Sequence, residues 1–160
     1  MILYRGSTIQ IDHPICDYGR PNLDFGQGFY LTDIREQAVE WARRQAASRK
    51  ESSLLNVYEF DKEYSASNFR YLQFTAYDTE WLHFIIDSRR GLKPWAGFDI
   101  IEGGIADDRV IDTVNLFSLG LMEENTALSL LSQHQPNNQI CILNQEVIEK
   151  CLSFKEVIVL

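Results

Sequence analysis

The most constraining segment of the sequence is Gly26-Gln-Gly-Phe-Tyr-Leu-Thr-Asp33. In it, two closely spaced glycines precede a strand that contains aromatic residues, and a helix start follows the strand. Glycine has no Cβ, so it allows backbone conformations and close approaches that are closed to other residues. Side chains alternate along a strand, which sends Tyr30 and Thr32 to one face and Phe29 and Leu31 to the other. The segment therefore predicts a strand with one face in the core and one face against a ligand.

The other elements are predicted from periodicity and from residues typical of helix ends. Asp33 and Glu36 have capping-box spacing, Gly91 suits a left-handed helix end, and Asn144 suits a helix start. Residues 7–27 are predicted to form a long loop. The predicted strands are 2–5, 28–32, 54–60, 71–74, 98–102, 139–143 and a last one ending at 160, and the helices are 34–49, 79–90, 108–119, 123–133 and 145–152. This irregular order favours a mixed α+β domain over a doubly wound sheet.

The chain has 160 residues, of which 45% are hydrophobic and 12% aromatic, enough for the core of a single domain over residues 1–160. Its three cysteines form no Cys-x-x-Cys pair, and an odd number favours reduced thiols in a cytoplasmic protein. No apolar run approaches membrane-spanning length. We therefore expect a cytoplasmic protein with no membrane contact.

The net charge and the spacing of the histidines limit which ligands the protein is expected to bind. The net charge is −8, and residues 101–160 carry 9 acidic against 3 basic residues, so broad coating of nucleic acid is not expected. A local arginine cleft for a nucleotide stays open as a hypothesis. His13, His83 and His134 have no ligand spacing to one another or to a cysteine pair, so no metal site is expected.

Three segments in order, Leu3-Tyr-Arg-Gly-Ser7, Gly28-Phe-Tyr-Leu-Thr32 and Gln139-Ile-Cys-Ile142, resemble the ADP-ribosyltransferase superfamily. The wider sequence is similar to a bacterial domain-of-unknown-function family, family 3990, that is assigned to this superfamily. The matching segments are 22–32, 36–38, 80–82, 98–100 and 105–109. The resemblance implies a split β-sandwich, two small mixed sheets around a cleft with flanking helices, that binds NAD as a substrate.

The resemblance assigns NAD binding to Arg5, Gly6, Gly28, Tyr30 and Thr32. Arg5 would bond a ribose or phosphate, which suits the planar fork of donors on a guanidinium. Tyr30 would stack on nicotinamide, and Thr32 would offer a hydroxyl to a ribose. From the residues alone, Arg5 as the ion-paired arginine of a strand end and Tyr30 as a core aromatic stay open as alternatives.

The resemblance also makes Gln139 a catalytic residue together with Tyr30. The superfamily has a glutamate at this place, whose charge stabilises the positive centre that forms as the glycosidic bond breaks. Glutamine keeps the hydrogen bond and loses the charge, which typically costs on the order of a hundred- to a thousand-fold in rate. Asp24 and Glu102 are alternative carboxylates because of their glycine-rich settings, although these settings favour a loop or strand-edge role for each.

Three functions remain as hypotheses. The first is an enzyme that transfers ADP-ribose from NAD to an acceptor macromolecule of unknown kind, as the toxin of a bacterial toxin–antitoxin pair held inactive by a small antitoxin protein. The second is a nucleotide-binding regulatory module on the same fold with weak or no catalysis. The third is a structural interaction domain without nucleotide affinity.

Overall fold

Two small β-sheets flanked by helices make up the protein, a mixed α+β architecture, in a computed structural model that describes residues 1–160. The strands are β1 (Ile2–Ser7), β2 (Phe29–Leu31), β3 (Leu54–Phe60), β4 (Tyr71–Gln73), β5 (Ile100–Gly103), β6 (Gln139–Ile142) and β7 (Leu152–Val159). The helices are α1 (Arg35–Arg49), α2 (Lys62–Asn68), α3 (Thr79–Arg89), α4 (Ile111–Ser118), α5 (Glu124–Leu131) and α6 (Gln145–Cys151). Short 3₁₀ turns span Cys16–Tyr18 and Pro94–Gly97. None of the helices has the length and apolar character needed to cross a membrane.

The first sheet is antiparallel, in the order β1-β3-β7, and helix α1 covers one of its faces. Small residues on α1, Ala38 among them, make this contact with buried Leu55 and Val57 of β3. A Cβ on Gly6 would lie only 2.0 Å from the carbonyl oxygen of Ala38. The absence of a side chain at Gly6 therefore lets α1 lie directly on β1.

The second sheet has the order β2-β6-β5-β4, with only β4 and β5 parallel. One face carries Phe29, Ile140 and Ile142 into the core shared with Leu3 and Tyr58 of the first sheet. The other face packs against α3, α4 and α5 in a second core. That second core includes Ile101, Cys141, Trp81, Leu82 and Leu131. Both faces of this sheet are thus covered by the protein itself.

The two sheets are joined at a single point and then separate. Tyr4 and Thr32 form an isolated antiparallel bridge, with N···O distances of 2.8 and 3.0 Å in its two backbone hydrogen bonds. Continuing that register would pair Gly6 with Tyr30, but no further backbone hydrogen bond joins the strands. We call the gap that opens here the β1–β2 split.

Most elements predicted from the sequence are confirmed, and the differences have physical reasons. Helix α1 is confirmed, but its capping box is wrong, because Ile34 occupies the cap position without a side-chain hydrogen bond. Asp33 instead accepts a hydrogen bond of 3.0 Å from the Asn138 amide, and Thr32 Oγ1 accepts from Ile34 N. Trp41 lies on the outer side of α1 and is 48% exposed.

Two further differences lie outside α1. Helix α2 is absent from the sequence prediction, and helix α4 begins at Ile111 because Asp107 closes a preceding turn instead of capping the helix. The alternation of β2 is confirmed, because Tyr30 pairs with Cys141 while Phe29 and Leu31 point into the other core.

Candidate functional site

Arg5 occupies the β1–β2 split. It follows Tyr4, the residue of β1 that bridges to Thr32, and its guanidinium Nη1 donates a hydrogen bond of 2.8 Å to the carbonyl oxygen of Tyr30. Continued strand pairing would give this carbonyl a backbone N–H as its donor. The Arg5 side chain therefore replaces the missing strand contact at the point where the two sheets part.

The Arg5 guanidinium, on a half-buried side chain, has no counter-ion. Its carbon lies 4.8 Å from the centroid of the Phe29 ring, and its Nε is buried without any hydrogen-bond partner. Burial lowers the pKa of Arg5 below its ordinary value. The ion-paired strand-end arginine left open by the sequence is not found, because no carboxylate contacts Arg5. An arginine remains charged in proteins, so this position favours an anion or a strong acceptor.

Tyr30 belongs to the opposite face of β2. The Arg5 guanidinium lies over Phe29, which alternates with Tyr30, and the Tyr30 ring packs into the core next to α3. Its hydroxyl donates a hydrogen bond of 2.5 Å to the Gly26 carbonyl, and burial raises its pKa. Stacking of Tyr30 on nicotinamide stays a prediction, and in this structure the ring and the Arg5 guanidinium face different sides of the strand.

Thr32, Asn138 and Gln37 meet where β2 ends and β6 begins. The Asn138 carbonyl accepts hydrogen bonds from the Thr32 hydroxyl at 2.7 Å and from the Gln37 amide at 3.2 Å. Gln37 Oε1 is buried and has no partner. Gln37 and Asn138 were not predicted from the sequence. The one available signal was a glutamine beside Ala38 on the face of α1 that contacts the sheet.

Two buried side-chain nitrogen or oxygen atoms in the chain have no hydrogen-bond partner, Arg5 Nε and Gln37 Oε1. Both belong to side chains that bond the β2 end and its neighbours, through the Tyr30 and Asn138 carbonyls. One is a donor and the other an acceptor. Unpartnered buried polar atoms are costly and rare, so each of these two atoms marks a candidate ligand contact.

Gln139 opens β6 opposite Gly103 and is half-buried. Alternation along β6 places it on the face of Cys141, the face that also carries Tyr30. The structure thus brings Gln139 beside Thr32, since each lies one residue beyond the last β2–β6 pair, Leu31 with Ile140. Gln139 and Thr32 are therefore neighbours at this end of the sheet.

Glu102 is a buried carboxylate on β5, and it directly precedes Gly103, the residue that pairs with Gln139. It is 3% exposed and lies opposite Ile140, on the other face of the sheet from Gln139. Lys62 Nζ lies 2.9 Å from its Oε2, the Tyr71 hydroxyl donates to it, and the Asn138 amide donates to its Oε1 at 3.1 Å. Glu102 therefore acts on the site through Asn138, and its charge is compensated by Lys62.

Asp24, the second alternative carboxylate, precedes Gly26 in the loop before β2. Its side chain is largely buried, and Arg89 Nε lies 3.5 Å from its Oδ1. Burial raises the pKa of Asp24 above its ordinary value, and the Arg89 charge opposes that shift. Asp24 has no hydrogen bond to Gln139, so neither alternative carboxylate contacts the predicted catalytic glutamine.

The predicted glycines face protein atoms. A Cβ on Gly26 would lie 2.6 Å from the Trp95 ring, and a Cβ on Gly28 would lie 2.5 Å from the Ile142 carbonyl oxygen. The expectation that a ligand lies against Gly26 and Gly28 was therefore wrong, because Trp95 and β6 make the close approach to these glycines. Cofactor binding by Gly6 and Gly28 stays a prediction and would have to use their backbone groups.

No group of three or more histidine, cysteine, aspartate or glutamate side chains is placed to hold a metal ion. In comparisons with known proteins, a family model described as "Protein of unknown function (DUF3990)" matches residues 1–154. No curated protein and no solved structure matches the chain.

Proposed function

We propose that this chain, which belongs to the DUF3990 family of proteins of unknown function, binds NAD at the β1–β2 split and transfers its ADP-ribose to a macromolecule. The family description gives no activity, so the proposal depends on the residues at the split and on the resemblance to ADP-ribosyltransferases. In a bacterial cell such a protein would act as the toxin of a toxin–antitoxin pair.

The unpartnered buried Nε of Arg5 carries this proposal. Arg5 Nε is a charged donor suited to a phosphate or ribose oxygen, and Gln37 Oε1 is an acceptor suited to a ribose hydroxyl. A phosphate or ribose oxygen of a bound nucleotide would satisfy Arg5 Nε, whereas leaving a buried polar group unpaired costs roughly 1–3 kcal/mol.

The arrangement of the sheets supports the same proposal. The superfamily binds NAD where a sandwich of two sheets splits, and here Arg5 lies where the two sheets part, with Thr32 in the bridge that joins them. The resemblance puts polar site residues on the first strand, on the second strand and at the start of a later strand. These positions are occupied by Arg5, by Tyr30 with Thr32, and by Gln139.

The proposed reaction breaks the glycosidic bond between the nicotinamide nitrogen and C1′ of the ribose. Nicotinamide leaves with the bonding electrons, and a nucleophilic oxygen or nitrogen of the acceptor forms the new bond to C1′ and loses its proton to solvent. Gln139 would hold the ribose by a hydrogen bond. Glu102 would position the β6 end through Asn138, at 3.1 Å, without touching the reacting atoms.

A nucleotide-binding module without turnover is the second candidate, and the chemistry of Gln139 favours it. Gln139 has no charge to stabilise a positive sugar centre, and Glu102 lies on the opposite face with Lys62 at 2.9 Å. Losing one preorganised electrostatic group costs on the order of a hundred- to a thousand-fold in rate. The two candidates share the binding site and differ only in turnover.

Release of nicotinamide from labelled NAD, with and without bacterial extract, tests the proposal. We expect release by the natural chain, a large loss in Arg5→Met, and no change in Arg44→Met on the exposed face of α1. Gln139→Glu should raise the rate. If only Gln139→Glu releases nicotinamide, the chain is a binding module; if no variant binds NAD, the proposal is wrong.

The toxin role has its own test in cells. Induced expression should arrest bacterial growth, and Arg5→Met should remove the arrest while Arg44→Met keeps it. Equal toxicity of natural chain and Arg5→Met would show that any growth effect is unrelated to NAD.

A further inference from the structure

We infer that an open cleft of about 410 Å³ at the other end of the four-stranded sheet binds a purine base. The cleft lies where β5 begins and β6 ends, at Asp99 and Leu143. Leu143 is four residues from Gln139 along β6, which is about 13 Å at the rise of a strand. The volume of the cleft lies within the range of small-molecule sites. The cleft shares no lining residue with the β1–β2 split, so its ligand does not depend on the proposed activity.

Two half-buried aromatic side chains, Trp95 and Phe98, line the cleft. Trp95 comes from the 3₁₀ turn Pro94–Gly97, and its ring is held against the backbone of Gly26, where a Cβ would lie 2.6 Å away. A fixed aromatic ring is a stacking surface for a nucleobase, and such stacking contributes roughly 1–3 kcal/mol per base.

Gln27 supplies a fixed acceptor at the edge of this cleft. Its Nε2 donates to the carbonyl oxygens of Asp17 and Gly19, both at 2.9 Å, which holds the amide in one orientation. With the nitrogen engaged in this way, the Gln27 Oε1 has no donor within the protein. A ligand N–H in the cleft is the partner that fits it.

Arg70 supplies a fixed donor in the same cleft. Its Nε and Nη2 bond the two oxygens of Asp99 at 3.2 and 3.0 Å, a bidentate pair that orients the guanidinium and leaves Nη1 unused. The Asp99 carboxylate also accepts from the Asn144 amide at 3.2 Å. Since that carboxylate is occupied, it is not available to the many hydroxyls of a sugar ligand.

A purine matches this combination of an aromatic surface, one acceptor and one donor. The N7 of a purine, with O6 in guanine, accepts from arginine, and its amino or ring N–H groups donate to an amide oxygen. A two-ring base also stacks over more area than a pyrimidine. The net charge of −8 disfavours a long nucleic-acid strand, so a free nucleotide is the expected source of the base.

Titration calorimetry with GMP, AMP, UMP and ribose 5-phosphate tests this site. We expect one purine nucleotide to bind at least ten-fold more tightly than UMP, and ribose 5-phosphate to show no binding here. Gln27→Ala and Trp95→Ala should each weaken purine binding about ten-fold or more, as loss of stacking or of the base-edge bond predicts. Trp41→Ala, on the exposed side of α1, is the matched control and should bind as the natural chain does.

Equal affinity for ribose 5-phosphate and the purine nucleotides would overturn the site, as would unchanged binding in Gln27→Ala. Gln27 is exposed, so this variant keeps the test decisive even if Trp95→Ala does not fold. A short single-stranded purine oligonucleotide shows which molecule supplies the base. If it binds more tightly than GMP and AMP, the ligand is a nucleic-acid strand; if its affinity is no higher, the ligand is a free nucleotide. Arg5→Met should keep the purine affinity, so failure at the β1–β2 split and failure at the cleft are distinguishable.

Discussion

Replacing Lys62 by methionine should destabilise the protein more than its surface position suggests. Lys62 Nζ lies 2.9 Å from Glu102, whose side chain is only 4% exposed, and no other cation contacts this carboxylate. Removing one partner of a buried ion pair costs about 3–5 kcal/mol. The Lys62 side chain is 35% exposed and therefore partly solvated, so we expect a loss below that range, about 2–3 kcal/mol after the discount for screening.

The double variant Lys62→Met/Glu102→Gln distinguishes an unpaired charge from lost packing. Glutamine removes the buried charge and still accepts from Asn138, so the double variant should be more stable than Lys62→Met alone. Urea unfolding measures the effect, since a slope of about 1–3 kcal/mol/M converts the loss into a midpoint shift on the order of 1 M. Lys155→Met is the control, because its pair with Glu59 is exposed and the midpoint should not move. A double variant less stable than Lys62→Met would refute the reasoning.

Three further outcomes are expected. Gly28→Ala should lower the free energy of unfolding by about 1–3 kcal/mol or more through overpacking against β6, whereas Gly97→Ala, with open space at its Cβ, should melt as the natural chain does. The Arg70 guanidinium holds the pKa of Asp99 below its ordinary value, so Asp99 stabilises the fold above about pH 4 and this contribution is lost as pH falls through the folded-state pKa. Thermal melts should therefore show a gap between natural chain and Asp99→Asn that narrows in acid, and a constant gap would contradict this. Burial raises the pKa of the Cys16 thiol to about 11, and all three cysteines are buried, so iodoacetamide at pH 8 should label them only in urea; rapid native labelling counts against the fold.

Elements with local signals were predictable from the sequence. Helix α3 ends before Gly91, whose φ of +78° is the left-handed value expected at a helix end. Helix α6 begins as expected, because Asn144 Oδ1 accepts a hydrogen bond of 3.0 Å from the backbone N–H of Glu146. In both cases the residues that fix the end lie within one turn of it.

Elements that depend on distant partners were not predictable. Asp33 does not cap α1, because Asn138, 105 residues away, donates to its carboxylate. Helix α2 has little apolar periodicity and is held by its cap, Asp61, and by one buried serine. These contacts exist only after the sheets have assembled, so no local pattern contains them.

The candidate site was also predictable only in part. The sequence and the resemblance predicted Arg5 and Gln139, and the structure places Arg5 at the Tyr30 carbonyl and Gln139 at the start of β6, on opposite faces of β2 and β6. Arg5 Nε and Gln37 Oε1 become buried without partners only when the sheets and α1 have assembled, so no local pattern contains this feature. Trp95, 69 residues later in the chain, fills the space beside Gly26. This contact was not predictable from the sequence for the same reason.

The most direct test of the central claim is the affinity of the protein for NAD, measured by calorimetry for the natural chain, Arg5→Met and Arg44→Met. Hydrogen bonds to charged groups contribute roughly 1.5–3 kcal/mol, so Arg5→Met should weaken NAD binding by about 10- to 150-fold. Arg44→Met should bind NAD as the natural chain does, and circular dichroism should show both variants folded. NAD affinity that is unchanged in folded Arg5→Met would contradict the claim that the β1–β2 split is the nucleotide site.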